Sequence, residues 1–117
     1  MAEHEPQLRQ GMIVFARMVP PRGEAKWRPA VIVTPDAVIP TTSQLDLVGV
    51  TTSYFVNSPE HIPLAWRYDG RVPTRLRRPS AIAVNLRAVV NKSDVEPTGG
   101  VAGKAALAEL LARLFPQ

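Results

Sequence analysis

A chain of 117 residues suits one folded domain and leaves no room for a second sizeable core. Hydrophobic residues at 45% and charged residues at 21% describe a globular chain, not a disordered one. The net charge of +4 points to an anionic partner, and the lack of cysteine excludes disulfides, thiol catalysis and cysteine-rich zinc sites.

Residues 1–10 read as a flexible polar tail and residues 11–117 as the single domain. The start of the chain carries Glu3 and Glu5 and no apolar region, unlike a signal peptide. No apolar run approaches the roughly 20 residues that span a bilayer, so the chain reads as soluble and cytoplasmic. Gly11 opens a strand over residues 12–18, rich in Ile13, Val14 and Phe15. A loop with two prolines and a glycine follows, to residue 27. Residues 30–34 (AVIVT) fit a strand buried on both faces, with Pro29 tolerated at its start. Residues 45–53 form the third strand, in which Gly49 signals a bulge or a close backbone approach. After a turn region at 54–60, residues 61–68 and 71–76 flank Asp69-Gly70 and predict a β-hairpin. Residues 80–90 predict a long strand with Ile82, Val84, Leu86 and Ala88 on one face. Residues 97–100 (PTGG) read as a loop. Leu107, Leu110, Leu111 and Leu114 then recur at helical spacing within a predicted helix over residues 103–115. These elements give a mainly β domain with a C-terminal helix, a small antiparallel barrel.

Composition also narrows the chemistry. His4 and His61 lie far apart, the acids are scattered without metal-ligand spacing, and no phosphate-binding glycine motif occurs. No metal and no cofactor is expected. No serine sits in a nucleophile-elbow turn. An enzyme of this composition works with arginine, hydroxyls and backbone dipoles. Residues 67–92 hold seven basic side chains and one acid, Asp69. That stretch reads either as a solvated face or as a phosphate-tracking surface.

Several segments in order resemble the MazF/PemK toxins, type II toxin–antitoxin endoribonucleases. Residues 11–15 (GMIVF) resemble that family's GDIVW strand. Gly23-Glu24, followed by residues 28–34 (RPAVIVT), resemble its GxEQ loop and RPAVVLS strand. Residues 48–53 (VGVTTS) resemble VPxT[TS]Q, and residues 81–89 (AIAVNLRAV) resemble ALADQVRSI. Met12, Gly49, Ser53, Val84 and Asn85 depart from the family's residues; an arginine and a threonine stand where the family uses them in catalysis.

The resemblance implies the SH3-like barrel of the MazF, CcdB and Kid type. It also implies metal-independent cleavage of single-stranded RNA, in which the 2′-OH attacks the adjacent phosphorus and leaves a 2′,3′-cyclic phosphate. Arg28 and Thr51 take the catalytic positions. Arg28, always charged and presenting a planar fork of donors, suits the growing charge on the phosphate oxygens. Glu24 is the candidate base. Of Thr51 and Thr52, strand alternation lets only one face a cleft, and Thr51 is preferred. Lys26, Trp27, Thr52, Arg71, Arg75, Arg77 and Arg78 are candidate RNA-binding residues, with Trp27 either a stacking platform or a cover for the core. The implied partners are a second copy in a homodimer and a cognate acidic antitoxin. The alternatives are a CcdB-like gyrase poison on the same fold, acting without catalysis, and a plain nucleic-acid-binding module.

Overall fold

In the computed structural model, which describes residues 7–19, 23–54 and 57–116, β1 (Met12–Met18) alternates as its sequence does. Val14, Ala16 and Met18 are buried on one side, Ile13 on the other, and Phe15 and Arg17 are exposed. β2 (Lys26–Ile32) begins four residues earlier than the apolar run suggests. Its first half pairs only with β1, Phe15 opposite Pro29, while β3 (Gln44–Thr51) joins at Ala30. Pro29 therefore lies in the strand where its other flank is unpaired and no ladder donor is missed.

β4 (His61–Leu64), β5 (Ser80–Asn91) and β6 (Glu96–Val101) complete a six-stranded antiparallel sheet in the order β4-β5-β3-β2-β1-β6. The helix α1 (Lys104–Leu114) follows β6. The result is a half-barrel with a C-terminal helix, the fold class expected from sequence. No helix among the described residues is long and apolar enough to cross a membrane.

Two cores lie on the two faces of the sheet. Ile13, Val31, Val48, Val50, Ile62 and Ile82 pack with Leu110 of the helix, with Leu111 and Leu114 against them. Val14, Ala16, Met18, Ala30, Ile32, Leu45, Leu47 and Leu86 form the second core. β2 and β3 feed both, which is why their sequences read as continuous apolar runs.

β5 serves both cores through a register shift. Val48 pairs with Arg87, but Val50 pairs with Ile82, so three extra residues of β5 fall between the two pairs. An odd shift turns side chains to the other face. Ile82 and Val84 accordingly belong to the helix-side core and Leu86 and Ala88 to the other, so the single alternating face expected for this strand does not hold. Gly49 fulfils the bulge reading, since it sits at this irregularity; what a Cβ there would meet, at 2.4 Å, is the side-chain atom Leu86 Cδ2 and not another backbone.

The predicted hairpin over residues 61–76 is corrected. Strand pairing stops at Leu64, and residues 65–79 form a folded loop. The Gly70 N–H donates to Arg67 O at 2.9 Å, which places the turn one residue before Asp69-Gly70, and the Arg71 N–H donates to Asp69 Oδ1. The loop is tied to its own base and to β6 rather than to a partner strand. The Thr74 hydroxyl donates to Ala65 O at 2.6 Å, the Arg67 N–H to Leu76 O, and the Val101 N–H to Pro73 O.

The predicted loop at 97–100 is instead part of β6. As an edge strand β6 tolerates Pro97. Its register against β1 shifts between Ile13, paired with Gly100, and Val14, paired with Pro97. Gly99 takes φ +85°, and a Cβ on Gly100 would lie 2.1 Å from the Thr74 carbonyl oxygen. The glycines mark a bulge and a close backbone approach, not a loop.

Of the expected tail, residues 1–6 lie outside the described residues. Residues 7–10 are anchored: Leu8 packs against the second core, the Gln10 N–H donates to Asp36 Oδ1, and Gln10 Nε2 donates to Val33 O.

Two substitutions check this packing by urea unfolding. Leu110→Ala, at a fully buried position, should cost about 2–5 kcal/mol. Gly100→Ala should cost about 1–3 kcal/mol, because backbone rather than a flexible side chain fills the space.

Candidate active site

Pairing of Ala30 with Gly49 fixes how β2 and β3 face one another. Two residues before Ala30 comes Arg28, and two residues after Gly49 comes Thr51. A step of two residues returns a side chain to the same face of a strand. Arg28 and Thr51 therefore leave the same face, the one that buries Ala16, Ala30 and Leu47, at the end of the second core. Lys26 shares this parity on β2.

Arg28 is half-buried, and its Nε is enclosed with no hydrogen-bond partner among the described residues. An enclosed donor left unsatisfied opposes folding by about 1–3 kcal/mol. Thr51 is half-buried too. Its hydroxyl donates to Ser53 O at 3.3 Å and accepts from the Ser53 N–H at 3.1 Å, so the side chain that ends β3 is also held in place. Thr52 is exposed and lies just past the end of β3. Glu24 is exposed in the segment leading into β2.

The other candidate residues lie apart from this pair. Trp27 leaves the opposite face of β2, across from Arg17, and is 60% exposed. It belongs to neither core, so it does not act as a core cover. A groove of about 660 Å³ runs past it, lined also by Arg17, Asn91, Asp94 and Glu96. Arg17 was not singled out in the sequence; its alternation with Phe15 in β1 was the signal. Arg71, Arg75, Arg77 and Arg78 are exposed on the 65–79 loop. That loop is anchored by Leu76 to the helix-side core, on the sheet face opposite to Arg28 and Thr51. His61 is half-buried at the start of β4, its ring 6.3 Å from that of Tyr54. Among the described residues, no three His, Asp or Glu side chains are grouped to hold a metal ion. What Arg28 and Thr51 offer chemically is a half-buried cation and an oriented hydroxyl on one face of the sheet, suited to an anion on which charge develops.

No protein-family model matches the chain, and no curated protein sequence matches it. Solved structures do. A crystal structure of MazF from Deinococcus radiodurans matches with a TM-score of 0.71 at 19% identity, over 94% of each chain. The Mycobacterium tuberculosis toxin MazF-mt6 matches with a TM-score of 0.61 at 20% identity, over 89% of this chain and 95% of that one. An endoribonuclease from a mycobacterial species, in complex with its cognate antitoxin, matches with a TM-score of 0.66 at 16% identity, over 92% and 90%. At these identities the likeness shows the fold.

A structural role for Arg28 and a functional one differ in their effect on stability. Arg28→Met removes the enclosed unpaired donor and should leave the urea midpoint equal to or above that of the parent. A loss above about 2 kcal/mol would make Arg28 a structural residue.

Proposed function

We propose that this chain is the toxin of a toxin–antitoxin pair, a MazF-like endoribonuclease that cuts single-stranded RNA without a metal ion. The observation that carries the reading is the common face of Arg28 and Thr51, set by the Ala30–Gly49 pairing, on a fold shared with MazF toxins.

The scissile phosphodiester sits against Arg28. The 2′-OH of the preceding ribose gives its proton to Glu24, and the 2′ oxygen attacks the adjacent phosphorus. The bond to the 5′ oxygen breaks, that oxygen takes a proton from water, the proton held by Glu24 returns to the hydroxide so formed, and a 2′,3′-cyclic phosphate and a 5′-OH remain. Through this step charge accumulates on the non-bridging oxygens. A guanidinium already enclosed needs little reorganisation to meet it, and Thr51 adds a second donor by turning its hydroxyl proton from Ser53 O to the phosphate. A guanidinium carries five donors and no acceptor, so Arg28 is not the base. Lys26, on the same face, binds a neighbouring phosphate as a point charge. Trp27, from the other face, and Thr52 contact flanking nucleotides.

The chain acts as a homodimer in this reading, and an acidic antitoxin neutralises it. Two of the matched proteins bear on the partner: a Deinococcus radiodurans structure is of MazE with MazF, and the mycobacterial endoribonuclease is held by its cognate antitoxin.

Purified protein should cleave a pool of single-stranded RNA in EDTA and leave 2′,3′-cyclic phosphate and 5′-OH ends, and 2′-deoxy substitution at the cut nucleotide should abolish cleavage. Arg28→Ala and Thr51→Ala should each lose about 100- to 1,000-fold in rate while remaining folded. Inhibition of gyrase with all RNA left intact would instead support the gyrase poison, and RNA binding without cleavage the plain binding module.

A further inference from the structure

The loop over residues 65–79 carries five exposed arginines: Arg67, Arg71, Arg75, Arg77 and Arg78. Of these five, only Arg67 forms an ion pair among the described residues, with Asp69 at 3.5 Å. Charges of one sign crowded together and left unpaired are retained at some cost to the domain that bears them. An aromatic pair stands among them. Tyr68 is 84% exposed and meets Trp66 edge to face, ring centroids 4.9 Å apart at 89°. The half-buried Trp66 steadies the tyrosine from one side and leaves most of its ring open to solvent.

Arg77 reaches the same turn. Its Nε lies 3.3 Å from where a Cβ on Gly70 would be, so its guanidinium group stands beside the Arg67–Gly70 turn that displays Tyr68. The bonds from Thr74, Arg67 and Val101 hold this backbone in one shape. Basic groups around an open aromatic face suit single-stranded nucleic acid, which offers a phosphate and a stacking surface at every step. An acidic peptide would use the charges and leave the tyrosine idle.

The loop lies over the helix-side core, away from the face of Arg28 and Thr51, yet it ends near them. Thr51 pairs with Ala81, and Arg78 precedes Ala81 by three residues, about 10 Å of extended chain. A strand leaving the cleft past Thr51 can round this edge of the sheet and run onto the loop.

We propose that residues 65–79 form an RNA exosite, centred on Tyr68, Arg71 and Arg77, that holds single-stranded RNA beyond the cleavage cleft; this rests on the nuclease reading above. Cleavage therefore depends on RNA length: long strands engage cleft and loop together, short ones the cleft alone.

The test compares oligouridines of about 30 and about 8 nucleotides, the shorter within the reach of one groove. Binding is read by fluorescence anisotropy in the uncleaving Arg28→Met background, and cleavage in the otherwise unaltered chain. Tyr68→Ser and the double variant Arg71→Gln/Arg77→Gln should each weaken binding of the long strand by about fivefold or more, and leave the short strand within about twofold. The double variant should also lower the slope of log affinity against log salt by about 1.4, two contacts at about 0.7 each. Arg71→Lys/Arg77→Lys should restore that slope. Equal binding of the long strand by all variants would overturn the exosite, as would equal losses for both strands accompanied by a lowered urea midpoint. Loss of poly-L-glutamate binding with RNA binding unchanged would overturn it in favour of an acidic protein partner. The two readings fail separately. A wild-type protein that never cuts RNA, but binds the long strand through Tyr68 and Arg71, sinks the nuclease and keeps the RNA surface. Undiminished cutting of dilute long RNA by the variants sinks the exosite alone.

Discussion

Leu86 occupies the space that a side chain at position 49 would need. This contact lets β5 slip three residues against β3 and change faces midway. One strand then closes two cores, the helix-side core through Ile82 and Val84 and the opposite one through Leu86 and Ala88. Without the slip, a twelve-residue strand would keep Ile82, Val84, Leu86 and Ala88 on one side and supply both cores less fully. The slip also decides what surrounds the site, because Thr51 lies just past it and pairs with Ala81 on the far side of the irregularity.

Local signals carried over into structure where the element made its own case. β1 matched its predicted limits, and α1 fell within one residue of its predicted limits at each end. Gly49 could be read because a glycine inside an apolar strand asks for an explanation. The failures share one cause: a segment whose conformation another segment decides. In β6, Pro97 and Gly99-Gly100 look like a turn, yet β1 recruits them as an edge strand, and Gly100 is small because the Thr74 carbonyl passes over it. Around Asp69-Gly70 the turn forms, but the chain after it ties back to Ala65 and across to Val101, so no second strand develops.

The candidate site was legible in type and not in arrangement. An arginine beside an apolar strand and a threonine ending another are visible in the letters. Their common face depends on Ala30 meeting Gly49, a pairing between distant segments that no local pattern encodes. The same geometry divides the remaining candidates. Lys26 joins Arg28, Trp27 turns away with Arg17, and the loop arginines sit over the other core. An enclosed guanidinium nitrogen without a partner is a poor choice for stability alone, and functional sites are where such choices persist.

The two outermost strands share a property that bears on how anything else can touch this domain. β4 is four residues long and contains Pro63; β6 contains Pro97 and is kinked by its irregular pairing with β1. Each margin thus offers a short or interrupted row of backbone donors and acceptors, a poor template for an added strand. Sheet-to-sheet polymerisation is discouraged at both rims, even though the domain exposes Phe15, Trp27 and Val89 on its surface. Whatever binds this protein must be recognised by side chains on its faces and loops, and not by extending its ladder.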